Sequence, residues 1–197
     1  PIDRVTIRNV SGTYRSFGFY IHAWDYRKMG FQGDYGSILI ENVDLRQTEP
    51  DYTYTKRFLF RVSGRHKCMT LKNIYYRDPA DDRYVIWLEG ISDMKGMGYA
   101  PAQMESLVID GLHIQDEGDA PQIMPYIAAE GKIKRMVIRN SELYCKAGKA
   151  PVFLATGEVS EIGRLAMYNV VAENVGTLID DPEGKIKALE VDGEEWE

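Results

Sequence analysis

Glu89 and Glu130 are the residues of this chain with the clearest capacity for chemistry. Each stands just before a glycine, at the end of a short apolar run, Tyr84–Gly90 in one case and Ile123–Gly131 in the other. If those runs are strands of neighbouring units, their carboxyl groups lie about 5 Å apart. At that separation one carboxylate can attack an acetal carbon while the other protonates the departing oxygen. Like charges that close raise one pKa, as a general acid requires. The competing reading is an exposed pair that parts in water, offset by Arg61.

Other candidate ligand-contacting residues gather around the pair. Aligning the short runs on their closing glycine gives two outward columns. One holds His22, Arg61, Trp87, Ala128 and Leu154. The other holds Trp24, Ser63, Glu89, Glu130 and Thr156. Strands stacked ~4.8 Å apart would bring Trp24, His22, Arg61, Trp87 and both carboxylates onto one sheet face. Aromatic platforms beside charged hydrogen-bonding groups suit a sugar chain, whose rings are apolar on one face and hydroxylated at the edge. The buried columns behind them are Phe60, Ile86, Ile127, Phe153 and Val62, Leu88, Ala129, Ala155.

The elements that must position these residues are announced by a recurring phrase, apolar-x-x-apolar-x-apolar-x-Asn-apolar. It begins at Ile2, Tyr35, His66, Met104, Ile133 and Ile162, with a frayed seventh copy at Ile186. Its Asn/Gly positions are 9, 42, 73, 111, 140, 169 and 193, at intervals of 33, 31, 38, 29, 29 and 24 residues. Alternation of period two makes each phrase a strand with one buried face. Asn and Gly tolerate a left-handed backbone, so the chain can turn there, and stacked Asn side chains can bond along a ladder. A repeat of this period predicts an all-β fold: a single-stranded, right-handed parallel β-helix, a solenoid of about six to seven coils with an Asn/Gly turn ladder. A helical solenoid would not show period two. A β-sandwich would not repeat one phrase near every thirty residues.

The whole chain, residues 1–197, reads as a single β-helix domain. The repeat starts at Ile2 with no capping segment before it. The expectation is the C-terminal portion of a longer β-helix, its open end covered by the missing N-terminal coils or by an oligomer partner. The net charge of −6 argues against nucleic acid or a membrane surface as partner, and no apolar run is long enough to span a bilayer. Cys68 and Cys145 fall at different places in their units and are expected as free thiols. His66 fills an apolar slot and His113 follows a turn, so only His22 lies near the candidate face. No His, Cys or carboxylate cluster has metal spacing, the Asp78–Asp82 loop reads as solvated turn carboxylates, and no metal or cofactor is expected. Two loops, Asp25–Gly36 and Ile91–Gln103, break the rhythm and are placed to flank a binding face.

The strand-Asn phrase resembles that of the pectin-lyase-like superfamily, most of all the C-terminal part of family 28 glycoside hydrolases. Those enzymes carry a Gly-x-Arg-Ile-Lys strand, a glycine-containing loop, then a strand-Asn phrase. Here Gly18-Phe19-Tyr20-Ile21-His22 leads through Gly30, Gly33 and Gly36 to Ile38–Asn42. Tyr20 stands where the family has Arg, and His22 where it has Lys. The Asn-Thr-Asp, Asp-Asp and Gly-His-Gly motifs of the family lie upstream of that strand. The resemblance implies part of a secreted or cell-surface, polysaccharide-active protein that itself lacks a complete catalytic site. Polysaccharide or oligosaccharide is then the partner, with Tyr20, His22, Trp24, Arg61 and Trp87 binding it. The alternative is a non-catalytic carbohydrate-binding, surface or tailspike module.

Overall fold

The computed structural model describes residues 2–15, 17–22, 25–26, 31–32, 34–48, 57–77, 83–90, 101–119 and 124–196. These form an all-β structure with no helix among the described residues. The first strands are β1 (Ile2–Tyr14), β2 (Phe17–His22), β3 (Asp25–Tyr26), β4 (Phe31–Gln32), β5 (Asp34–Gln47), β6 (Arg57–Ser63), β7 (Arg65–Arg77) and β8 (Arg83–Leu88). They continue with β9 (Gln103–Asp116), β10 (Ile127–Ala129), β11 (Lys132–Cys145), β12 (Val152–Thr156), β13 (Glu161–Glu173), β14 (Thr177–Asp180), β15 (Leu189–Val191) and β16 (Glu194–Trp196).

Apart from the β3–β4 hairpin, the chain alternates between two sheets. One has the order β1-β5-β7-β9-β11-β13-β15-β16, the other β14-β12-β10-β8-β6-β2. Pairing within both is parallel until β16 folds back antiparallel on β15. Each return to a sheet therefore lands beside the strand laid down one repeat earlier. Ile7, Ile40, Leu71, Ile109, Ile138 and Met167 form one continuous register column. All but Ile7 are fully or almost fully buried. Burial of each such side chain is worth about 1.5–3 kcal/mol. Residues of both sheets share one core, with Phe60, Ile86 and Ile127 meeting it from the six-stranded side.

The Asn/Gly position behaves as its chemistry requires. Asn9, Asn42, Asn73, Gly111, Asn140, Asn169 and Gly193 all have φ between 50° and 87°. Asn42 donates to Asn9 at 2.9 Å, Asn73 to Asn42 at 3.0 Å, and Asn169 to Asn140 at 3.2 Å. Gly111 interrupts the ladder, and there Asn140 donates instead to Asp110 at 2.8 Å. The strand does not stop at the turn. It bends and runs on, burying Val43 and Leu45, Ile74 and Tyr76, Leu112 and Ile114. The sequence pattern had ended the strand at Asn, because the second stretch is short and its alternation is shared with the loop that follows.

Cys145 is buried and Cys68 half-buried, both as free thiols. The Cys145 thiol contacts the Tyr126 hydroxyl at 3.1 Å, and that hydroxyl donates to Asp116 at 2.7 Å. Asp116 is fully buried and ion-paired with the almost equally buried Lys149. Burial pushes both the Cys145 thiol and the Tyr126 phenol upward in pKa.

Two stability predictions follow, both read by urea unfolding. Asn42→Ala should cost about 1–2 kcal/mol, because it loses both ladder bonds and strains a left-handed backbone, while Asn42→Gly should cost less. Asp116→Ala should cost about 3–5 kcal/mol by stranding the Lys149 ammonium in the interior.

Candidate functional site

The outward face of the six-stranded sheet carries most of the residues that the sequence singled out. Register, not the closing glycine, decides which of them meet. Tyr20 pairs with Arg61, and His22 with Ser63. The sequence alignment had placed His22 beside Arg61 and Trp24 beside Ser63, two residues out of step, because no glycine closes the first of these strands. Trp24 itself lies outside the described residues. Arg61 pairs with Trp87, and Trp87 with Ala128, as expected. Beyond them Ala128 pairs with Ala155 and Ala129 with Thr156, so the fifth strand is shifted by one residue. The shift turns Leu154, expected outward, into the core, where it is fully buried beside Phe153. Gly157 then falls in line with Glu89 and Glu130 rather than with Gly131.

Arg61 organises this face. Its guanidinium donates to both oxygens of Glu89, from Nε at 3.1 Å and from Nη2 at 2.6 Å. The same plane lies over the Trp87 ring at 4.6 Å and the Tyr20 ring at 4.8 Å. Such a fork-to-carboxylate pair stacked on aromatic rings is a geometry that Arg forms and Lys cannot. Glu89 retains only 3% of its surface and Trp87 only 4%. Trp87 is thus a covered wall rather than an open platform, and Glu89 is an enclosed, paired carboxylate rather than one flexing in water. Phe58, Tyr84 and Ala128 pack with Trp87 into a small outer apolar cluster, Phe58 and Tyr84 being aromatic neighbours that the glycine-based columns missed. Their signal was present as Phe17, Phe58 and Tyr84, aromatic at matching positions of successive strands. Tyr20, by contrast, is 45% exposed.

Glu130 is held differently. The Trp87 indole donates to its Oε2 at 2.9 Å, the one hydrogen bond its carboxylate receives among the described residues. Glycines flank it: a Cβ on Gly90 would meet the Glu130 Cβ at 2.9 Å, and one on Gly157 would meet its Cγ at 3.0 Å. The two carboxylates are therefore neighbours in one column with different masters, Arg61 for Glu89 and Trp87 for Glu130. Both oxygens of Glu89 are engaged by Arg61, whereas Glu130 keeps acceptor capacity. Burial, with the charge of Glu130, also raises the pKa of the Tyr84 phenol.

His22 Nδ1 is hydrogen-bonded to the Ser63 hydroxyl, and Ser63 is fully buried. Burial, then the charges of Arg61 and His66, lower the His22 pKa from 6.5 to about 4. His66 is buried as well, its Nε2 2.9 Å from the Ser63 carbonyl, and burial lowers its pKa too. His113 lies away from this face, stacked on Tyr75 and 3.4 Å from Glu142. Among the described residues no group of three or more His, Cys, Asp or Glu could hold a metal ion. Residues 91–100 of the expected flanking loop, and Asp78–Asp82, lie outside the described residues.

The His22 environment sets a pH dependence. Between about pH 6.5 and 4 the unfolded chain binds a proton that the folded imidazole refuses, so stability falls as pH drops through that window. Titration followed by imidazole NMR should put the His22 midpoint near 4, and His22→Gln should flatten the acid loss. A midpoint at 6.5 would contradict the packing described. Compared with family models, curated proteins and solved structures, the chain matches none.

Proposed function

We propose that the chain is a right-handed parallel β-helix, part of a polysaccharide-active protein, and that the outer face of its six-stranded sheet binds a sugar chain. The alternation of the chain between two parallel sheets, apart from the β3–β4 hairpin and β16, supports the β-helix reading, as does the left-handed turn at every Asn/Gly position. The observation that carries the binding reading is the Tyr20–Arg61–Trp87–Glu130 assembly. It offers an exposed aromatic ring, a fixed guanidinium and a half-buried carboxylate that receives one hydrogen bond among the described residues, all drawn from neighbouring repeats. In this arrangement Tyr20 stacks on a sugar ring and Glu130 accepts from hydroxyls. Arg61 and Glu89 hold the platform rigid, and His22 supports Ser63 at its edge.

Binding without cleavage fits this geometry better than a glycosidase pair, because Glu89 is committed to Arg61. If the pair does cleave, Glu130 is the residue free to move a proton. A glycan array followed by calorimetry on the strongest hit tests the reading. Tyr20→Ala and Glu130→Gln should each weaken binding about tenfold, or ~1.4 kcal/mol, with the fold intact. An array without hits overturns it. Release of reducing ends that Glu130→Gln abolishes would establish the catalytic form instead.

A further inference from the structure

The eight-stranded sheet carries a second recess, an open groove of about 640 Å³, on its outer surface where five strands begin. That volume is within the range of small-molecule and oligomer sites. Two ridges bound it. The first is the register column Asp34, Arg65, Gln103, Lys132 and Glu161. The second is Lys67, Glu105 and Lys134, ending at Gly163, which leaves the far end open. Tyr35, His66, Met104 and Ile133 lie along the floor between them. The Tyr35 and His66 rings stack at 5.4 Å, and His66 Nδ1 is a buried nitrogen with no hydrogen-bond partner among the described residues.

Among the described residues, every charge of the groove except that of Lys67 is answered within it. Arg65 donates twice to Asp34, at 3.0 and 2.8 Å, Lys132 meets Glu161 at 3.1 Å, and Lys134 meets Glu105 at 3.6 Å. Acidic residues stand on both end strands, Asp34 on one and Glu161 on the other. A ligand with a negative charge on every unit would meet like charge at each end. Hydroxyl groups, which donate and accept, can instead bridge a Lys and a Glu without leaving either unpaired. Five strands at about 4.8 Å spacing give the groove a length of roughly 19 Å, so an extended ligand lies across the strands.

From this juxtaposition we infer that the groove is a second binding site, which takes a neutral oligosaccharide chain lying across β5, β7, β9, β11 and β13. The inference rests on the polysaccharide reading above, but it places a site on the other sheet and names the class of sugar.

Backbone amide NMR of the intact chain tests it, with cellohexaose, mannohexaose and xylohexaose as neutral probes and hexagalacturonate as the acidic one. At least one neutral probe should shift the amides of residues 65–67, 103–105 and 132–134. Glu105→Gln and Lys132→Ala, both at exposed positions, should weaken that binding at least fivefold, while Tyr20→Ala leaves it unchanged. Groove shifts produced by hexagalacturonate alone would overturn the inference, as would groove shifts that both groove variants leave untouched. Shifts confined to β2, β6, β8 and β10 would overturn it too, yet leave the sugar-binding face standing. No shift with any probe would sink both.

Discussion

Parallel pairing in register is the constraint on which everything else in this protein depends. Each strand hydrogen-bonds to the strand laid down one repeat earlier, so every side chain sits on its counterpart one unit away. A column therefore has to be compatible with itself along its whole length. Apolar columns satisfy this by burial, as from Ile40 through Met167. The Asn column does so by chaining amides on either side of Gly111, Asn42 to Asn9, Asn73 to Asn42 and Asn169 to Asn140. One charged column alternates in sign: Arg8, Glu41, Lys72, Asp110 and Arg139 do so in successive strands. Where this column meets the gap in the Asn ladder, Asp110 takes hydrogen bonds from both Asn140 and Arg139. Against the opposing effect of burial, these hold its carboxyl below the ordinary range.

The same constraint builds the candidate site. No single repeat contains it: Tyr20, Arg61 and Trp87 come from three strands, Glu130 directly follows a fourth, and they meet only because the register agrees. Glu89 and Glu130 would repel if both were bare, and each is answered by a donor from a neighbouring strand, Arg61 or the Trp87 indole. Gly90 and Gly157 let their strands close in on Glu130, because a Cβ at either position would crowd its side chain. The groove on the other sheet follows the same logic, with its three ion pairs running between adjacent strands. Both surfaces are made of stacked columns, and a ligand that runs across the strands samples several repeats at once.

What the sequence made legible was what repeats. The alternation around Ile38, Leu71 and Ile109 named the strands, and the recurring Asn named the turns, because burial and left-handed backbone both impose residue types directly. Register was less legible. Glycines were a natural ruler, but a glycine marks where the chain must approach its neighbour closely or turn, and that place drifts by a residue between repeats. Phe153 and Leu154 both point into the core, so the fifth strand slips relative to Gly157, and Leu154 leaves the outer face. The first strand has no closing glycine, so His22 fell beside the wrong partner. Covering was not legible at all. Trp87 and Glu89 alternate as outward residues do, yet they are buried: Phe58, Tyr84 and Ala128 pack with Trp87, and Arg61 grips Glu89.

Register can be measured directly through Cys68, whose partner on the preceding strand is Ser37. Neighbouring strands hold such a pair within the Cα separation that a disulfide requires. In-register stacking predicts that oxidised Ser37→Cys protein yields an intramolecular peptide cross-link between positions 37 and 68, seen by mass spectrometry. Leu39→Cys, two residues along, should give none. A cross-link from Leu39→Cys but not from Ser37→Cys would contradict the stacking and, with it, both surfaces built upon it.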